Sequence, residues 1–447
     1  MRIKIWLTFL LLSILLLPVK GEASTSMTMK NLEQELTTSL NDPSLTPGTE
    51  GYRSFVLNQL MFGQDQELTR QQNYSDLIVY MSGYINNLVL QENDFYAQTV
   101  QEVEAKQQER ERVSQTTNTR LPSFVNATDV KAYAQKWWNH RNPEFPDFSD
   151  VGGNCVNYTS QLLLAGGINR ISPTPIPDSN INKDPNYWYS YKKSDSPPTY
   201  NSSLAWINVG AFYNFWKESQ ELIQPNNLNV QRDLEVGDVI QLQHTAGGDY
   251  YHSMVVVDKD ASTVYLTGNT TDRERMDIRE LKDNNIRVIK FTRPNINPIL
   301  PQSSLRSFQP RLNRSLAVTG SDTGARLTDS QMFNSRFLGV SYVPDKNAYR
   351  IASQWGGAPL FWTGETGVGN LRTDHQHGPS VQKEDHDLWL LEPVGNNLFI
   401  VRSWLNPEMV WDVHNFYPHV STPIKVERLH PRGSAQRDAQ IFYLEAN

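Results

Sequence analysis

One cysteine, Cys155, is present in 447 residues. A chain with one thiol forms no disulfide within itself, so its stability rests on packing, which excludes the small disulfide-built scaffolds. Long apolar runs are equally scarce. One covers residues 5–17, behind Arg2 and Lys4 and ahead of Gly21, Glu22 and Ala23. A basic start, an apolar stretch too short to span a bilayer and a small-x-small cleavage site make residues 1–23 an export signal. No cysteine follows that stretch to carry a lipid, and no later run approaches a membrane span. Excess charge is lacking too: a net charge of −7 at pH 7 leaves no basic footprint for nucleic acid. The expectation is a secreted, soluble bacterial protein of two or three domains.

An unpaired cysteine in an exported protein pairs between molecules, is buried as a structural thiol, or acts as a nucleophile. Cys155 lies in Gly152-Gly153-Asn154-Cys155-Val156-Asn157-Tyr158-Thr159-Ser160-Gln161, followed by helix formers to Ala165 and a stop at Gly166-Gly167. It therefore opens a helix, where unpaired N–H groups and the helix dipole favour a thiolate. A thiolate needs a base, and the base an orienter. His140, His244 and His252 are the histidines in this part of the chain. The first two read as surface or loop residues, whereas His252 opens the apolar run Ser253-Met254-Val255-Val256-Val257. A turn at 259–262 with Asp258 opposite Thr263 places His252 opposite Asn269, about 5 Å apart on one face. A solvated histidine at a strand end is the alternative.

Around this segment, residues 24–120 show helical spacings at 51–62 and 74–105, with a frayed end and linker at 106–120. They read as a cap, a partner-binding piece or a removable inhibitory segment. Residues 121–293 place helices first and strands at 236–243, 250–258, 263–267 and 287–292 after them, an α+β pattern. The Pro-, Asn- and Ser-rich stretch 170–203 reads as a long loop, whose Tyr187, Trp188, Tyr189 and Tyr191 form a substrate wall or simply pack. A Pro/Ser linker covers 294–304. Residues 305–447 repeat: Leu316-Ala317-Val318-Thr319-Gly320 is echoed by Leu360-Phe361-Trp362-Thr363-Gly364 and Met409-Val410-Trp411-Asp412-Val413. Three all-β units suit a closed threefold barrel. The mixture of His375, His377, Asp385, His386 and Asp387 lacks metal-ligand spacing, and no metal or cofactor is expected.

Two resemblances follow from these residues. Ala132-Tyr133-Ala134, Trp137-Trp138-Asn139, Asn142-Pro143 and the Gly153–Gln161 run resemble the amidase domain of secreted bacterial proteins, within the papain-like superfamily of NlpC/P60 and CHAP enzymes. Trp206, Gly237-Asp238-Val239-Ile240, Tyr251-His252-Ser253 and Asn269-Thr270-Thr271-Asp272-Arg273 fall in that family's order. The resemblance implies an α+β papain-like domain with Cys155 as nucleophile, His252 as general base and Asn269 as orienter. Asn154 stands where the family usually has Asp, and Asn269 where it commonly has His. The implied reaction is amide hydrolysis without a cofactor. The Cys155 N–H is one oxyanion donor, and Asn154 or Gln161 is a candidate second. The repeats resemble the ricin-type β-trefoil lectin, with Gln440-Ile441-Phe442 as its closing element. That resemblance implies Asp412 accepting sugar hydroxyls, with Phe416, Tyr417 or His419 stacking on the ring. Thr319 and Thr363 occupy the equivalent positions of the first two repeats. The expected molecule is a multidomain protein: helical N-terminal region, papain-like hydrolase for an amide or peptide, and all-β trefoil directed to a glycan-bearing surface. Cell-wall peptides and host-surface proteins are the candidate substrates. The rival is a non-enzymatic lectin, adhesin or toxin subunit with a relic catalytic domain, or a trefoil that only contacts proteins.

Overall fold

The computed structural model describes residues 27–112, 123–149, 154–178, 180–292, 300, 303–321, 324–332, 336–353, 358–363, 369–373, 385–395, 397–431 and 434–446. Residues 1–23, expected to be an export signal, lie outside these residues, as do Gly152, Gly153, His375, His377 and most of the 294–304 linker.

Helices come first: α1 (Met29–Leu40), α2 (Glu50–Phe62), α3 (Gln66–Thr69), α4 (Tyr74–Leu90) and α5 (Val100–Arg112). Thr28 and Thr49 start α1 and α2 by accepting the Asn31 and Tyr52 N–H groups, and left-handed Asn41 and Gly63 end them. The α4 helix is buried continuously from Leu77 to Asn86. A helix apolar on all sides must be covered on all sides. Its partners are the other N-terminal helices and one face of a six-stranded sheet.

That sheet has the order β4-β9-β5-β6-β7-β8. Its strands are β4 (Glu221–Ile223), β5 (Val239–His244), β6 (His252–Lys259), β7 (Val264–Gly268), β8 (Arg273–Asp277) and β9 (Asn284–Lys290). Side chains alternate between its faces. Ile240, Leu242, Met254, Val256, Leu266 and Val288 share a core with Leu32, Val56, Leu60 and Ile78 of the N-terminal helices. Val239, Val255, Val257 and Ile289 share another with α6 (Ala127–Trp137), α7 (Cys155–Ala165) and α9 (Val209–Trp216). The N-terminal helices are thus one of three layers, which runs against a removable segment. Residues 204–216 form two helices, α8 (Leu204–Ile207) and α9, divided at Asn208. Residues 170–203 are not one long loop either. They carry β1 (Ile181–Asn182), β2 (Ser190–Asp195) and β3 (Pro198–Ser203) in the order β1-β3-β2. Trp188 there is fully buried against Trp206 and Trp216, with ring centres 4.5 and 5.2 Å away, so it belongs to the core and not to a substrate wall.

The last third is built of three four-stranded units. They are β10–β13 (Ser303–Pro310, Leu316–Ser321, Gly324–Asp329, Leu338–Val343), β14–β17 (Ala348–Ser353, Leu360–Trp362, Gly369–Thr373, Leu388–Gly395) and β18–β21 (Leu398–Ser403, Met409–Val413, Ile424–Arg428, Phe442–Ala446). The outer strands of each unit pair in a ring, β10-β13-β14-β17-β18-β21 and back to β10, and the inner strands form three antiparallel hairpins. This is the closed threefold barrel that the repeats imply, with Trp362, Trp389 and Trp411 in its core. Phe124 and Leu300 enter the same core, although Val125, the next residue, packs with α6 and α7.

Candidate active site

Cys155 is the first residue of α7 and is buried. The Ser253 N–H and the Thr270 hydroxyl are turned toward its sulfur, yet burial prevails and pushes the thiol above its ordinary value. A helix start alone therefore does not produce the thiolate expected from the sequence, because desolvation outweighs the favourable donors.

Asn154 and Asn269 meet beside it. The Asn154 amide donates to Asn269 Oδ1 at 2.6 Å, and the Asn154 backbone N–H donates to Thr270 Oγ1 at 3.0 Å. Asn154 Oδ1 accepts from Asn157 Nδ2 at 2.6 Å, and Asn157 Oδ1 accepts from the Trp206 indole at 2.9 Å. The Asn269 amide donates to the carbonyls of Trp137, Trp138 and His140 at 2.9–3.2 Å. Asn269 thereby fastens the C-terminal end of α6 to the start of α7, using carbonyls that a helix end leaves without partners.

These bonds correct the expected contact between Asn269 and His252. The β6–β7 pairing sets Val255 opposite Thr267 and, past a bulge, Asp258 opposite Tyr265 instead of Thr263. His252 pairs with Leu242 and Met254 with Ile240, on the face covered by the N-terminal helices. Ser253, the neighbour, takes the face of Cys155. Both His252 ring nitrogens are buried without a hydrogen-bond partner. Burial also lowers the ring to about 4, so it is neutral at pH 7. No hydrogen bond joins it to Cys155 or Asn269 among the described residues. Gly268 lies beside the ring: a Cβ there would stand 3.8 Å from His252 Nε2.

The remaining candidates have structural partners. Gln161 is six residues along α7 from Cys155, about 9 Å of rise, and its Oε1 accepts the Tyr133 hydroxyl at 2.7 Å. It supports α6 and does not face the thiol. One amide hydrogen of Asn154 is committed to Asn269, which weakens its case as an oxyanion donor. His244, expected at the surface, is buried edge-on against Tyr74 with ring centres 5.8 Å apart. Ser253 and Thr270 escaped the sequence reading as neighbours of the sulfur. Their only signal was adjacency to His252 and Asn269. One cavity, about 680 Å3, is lined by Lys131, Lys259, Asp260, Glu408 and Arg428. It lies at the far end of β6, about 23 Å along the strand from His252.

In the barrel, Asp412 is buried on β19, and burial, with the Glu427 charge added, raises its carboxyl to about 7. Phe416 and Tyr417 are exposed in the turn of the same hairpin, and His419 stacks on Tyr417 with ring centres 3.9 Å apart. Asp385 pairs with Lys346, Asp387 with Arg350, and His386 Nδ1 bonds the Trp362 carbonyl at 2.9 Å, so these side chains are spent in ordinary contacts.

Comparison with known proteins adds distant and nearer likenesses. A mosquitocidal holotoxin aligns with a TM-score of 0.30 and 16% identity over 45% of this chain and 25% of its own. The Rhizoctonia solani agglutinin aligns with a TM-score of 0.27 and 10% identity over 34% of this chain and 99% of its own. The protein YhbB of Bacillus subtilis (strain 168) is 30% identical over 144 residues, 32% of this chain and 40% of that relative. The chain thus spans two fifths of YhbB. Over residues 124–291, which hold Cys155, His252 and Asn269, the sequence matches the family described as "Putative amidase domain".

Proposed function

We propose that residues 124–291 hydrolyse an amide bond with Cys155 as nucleophile. The observation that carries this reading is the sulfur's surroundings: the first turn of a helix, with the Ser253 N–H and Thr270 hydroxyl turned toward it, inside the stretch that matches an amidase family. Such donors favour negative sulfur once a base removes the proton. The thiolate attacks the carbonyl carbon and forms a C–S bond, and the oxyanion takes the Cys155 N–H. Collapse breaks the C–N bond, and the amine leaves with a proton. Water then cleaves the thioester and restores the thiol. His252 is the proposed proton carrier, in keeping with papain-like and NlpC/P60 enzymes. Its ring rests on the sheet face away from the sulfur, so this reading requires the first residues of β6 to turn over when substrate binds. Asn269 acts through Asn154 and the α7 start, not through the ring.

Residues 1–23 are proposed to direct export. No described helix is long and apolar enough to cross a membrane. The barrel is proposed as a trefoil lectin that holds the enzyme on a glycan-bearing surface, with Asp412 at the sugar and the exposed Phe416 and Tyr417 as its apolar face. The deciding experiment is mass spectrometry of peptidoglycan fragments and cell-surface proteins after incubation with wild type and Cys155→Ala. New amide cleavages made by wild type alone are expected; identical products from both remove Cys155 from the chemistry.

A second reading has its own observation. Thiol and imidazole are both buried, both in their neutral forms and not bonded to each other. In a relic domain that state is permanent and the barrel carries the function. Glycan-array binding by a protein inert toward every amide tested supports it.

A further inference from the structure

The hairpin β19–β20 gathers a set of side chains that neither the hydrolase nor the barrel core uses. Asp412 pairs with Lys425 and Val410 with Glu427, so Asp412 and Glu427 share one face of the hairpin. Lys425 is the cation nearest in register, but its ammonium is turned to Asn370 Oδ1 on the neighbouring hairpin. His430 follows β20, and its Nε2 stands 3.7 Å from Asp412 Oδ2. On the far side His414 Nδ1 is 3.6 Å from Glu427 Oε1. One ligand atom from each of Asp412, Glu427 and His430 can be chosen so that all three lie within 4.8 Å of one another.

Two facts point beyond an ordinary polar cluster. Asp412 is 3% exposed, and its Oδ2, the oxygen facing His430, has no hydrogen-bond partner. A buried carboxylate oxygen without a donor is costly. Its 3.7 Å separation from the imidazole is too long for a hydrogen bond. It is close to the edge, about 3.4 Å, between two ligands each about 2.1 Å from a tetrahedral ion.

We propose that Asp412, Glu427 and His430 form a site for a divalent transition-metal cation, with zinc the best fit. The imidazole points to zinc and its first-row neighbours, which also accept carboxylate oxygens, whereas calcium and magnesium favour oxygen alone. The cation neutralises two adjacent carboxylates and satisfies the orphaned oxygen. The main chain of His430 is fixed in place: its backbone N–H donates to Gln440 Oε1 at 2.8 Å, and its backbone carbonyl accepts from Arg437 Nη1 at 2.6 Å. The three ligands leave a fourth position open to water or another oxygen donor.

The test is calorimetric titration of the full chain, stripped of metal by chelator and dialysis, with zinc chloride, and separately with calcium and magnesium chloride. One zinc per chain is expected, with calcium and magnesium at least tenfold weaker. Asp412→Asn and His430→Gln should each weaken zinc at least tenfold while circular dichroism stays unchanged. The double variant His375→Gln/His377→Gln should retain the one-to-one stoichiometry, separating this site from the other histidines. Absence of zinc binding, full binding in both ligand variants, or a preference for calcium overturns the assignment. The sugar reading also uses Asp412, so zinc is titrated without glycan, and a failure here leaves that reading standing.

Discussion

Cys155 and His252 are each held by burial in the neutral form, the thiol raised and the imidazole lowered to about 4. The sequence alone suggests rapid alkylation of Cys155 near pH 6–7. The structure predicts instead that the iodoacetamide rate is slow there and keeps rising through pH 9; a plateau below pH 7 would show a thiolate pair. His252 also ties stability to pH. Its folded value lies below the unfolded value of about 6.5, so between the two the unfolded chain binds more protons. Its contribution is fully present above about pH 6.5 and is lost as pH falls toward 4, about 3 kcal/mol in all. Urea unfolding at pH 7 and pH 4 should show this loss, and His252→Gln should reduce it. Asn269→Ala should behave as a structural lesion, costing about 2–3 kcal/mol through buried partners left unpaired. A large fall in turnover with unaltered melting would return Asn269 to the chemistry. Both proposed reacting residues were nominated by their types and by the family order. Their mutual placement was not, because it depends on strand register and face, and a one-residue slip exchanges the faces.

At the scale of elements, the α7 start, the Gly166 stop and the apolar strand β6 were all readable from local pattern. The three-stranded sheet within 170–203 was not, since its Pro-, Asn- and Ser-rich strands lack alternation. The role of α4 was hidden as well: periodicity shows a helix, but not that its second apolar side rests on a sheet whose contacts lie 164 and 167 residues later. Asn86 donates to the Tyr250 carbonyl at 3.1 Å and Ser82 accepts the Asp249 N–H at 3.0 Å, next to His252. Sequence boundaries suggest that residues 121–293 fold alone. The shared core predicts that this fragment aggregates or stays molten, because Ile240, Leu242, Met254 and Val256 lose their cover, whereas 27–292 gives a cooperative transition. Calorimetry and ANS fluorescence of the two fragments decide the matter. A cooperative melt for 121–293 would make the N-terminal helices dispensable.

For the whole molecule, the repeats announced the barrel because each unit carries the same apolar strand, and closure follows from three such units. What no periodicity announces is a side chain arriving from elsewhere. Phe124 is buried in the barrel core with the Arg402 guanidinium 4.9 Å from its ring centre. Phe124→Ala should cost about 3–5 kcal/mol, seen as a lower melting temperature of the barrel transition. An unshifted transition would mean that the barrel does not depend on this anchor.

Phe124 and Val125, consecutive in the chain, enter different cores. A slack tether lets an enzyme sweep every direction within its reach, so that only local concentration improves. A bolt does something else. With adjacent side chains locked into both bodies, residues 124–291 have little freedom to pivot against the barrel. Under the proposed function, a barrel resting on a surface would hold the mouth of α7 at one height and one angle, and the molecule would work as a ruler: bonds at the matching distance from the anchoring point would be cut, and chemically identical bonds nearer or farther passed over.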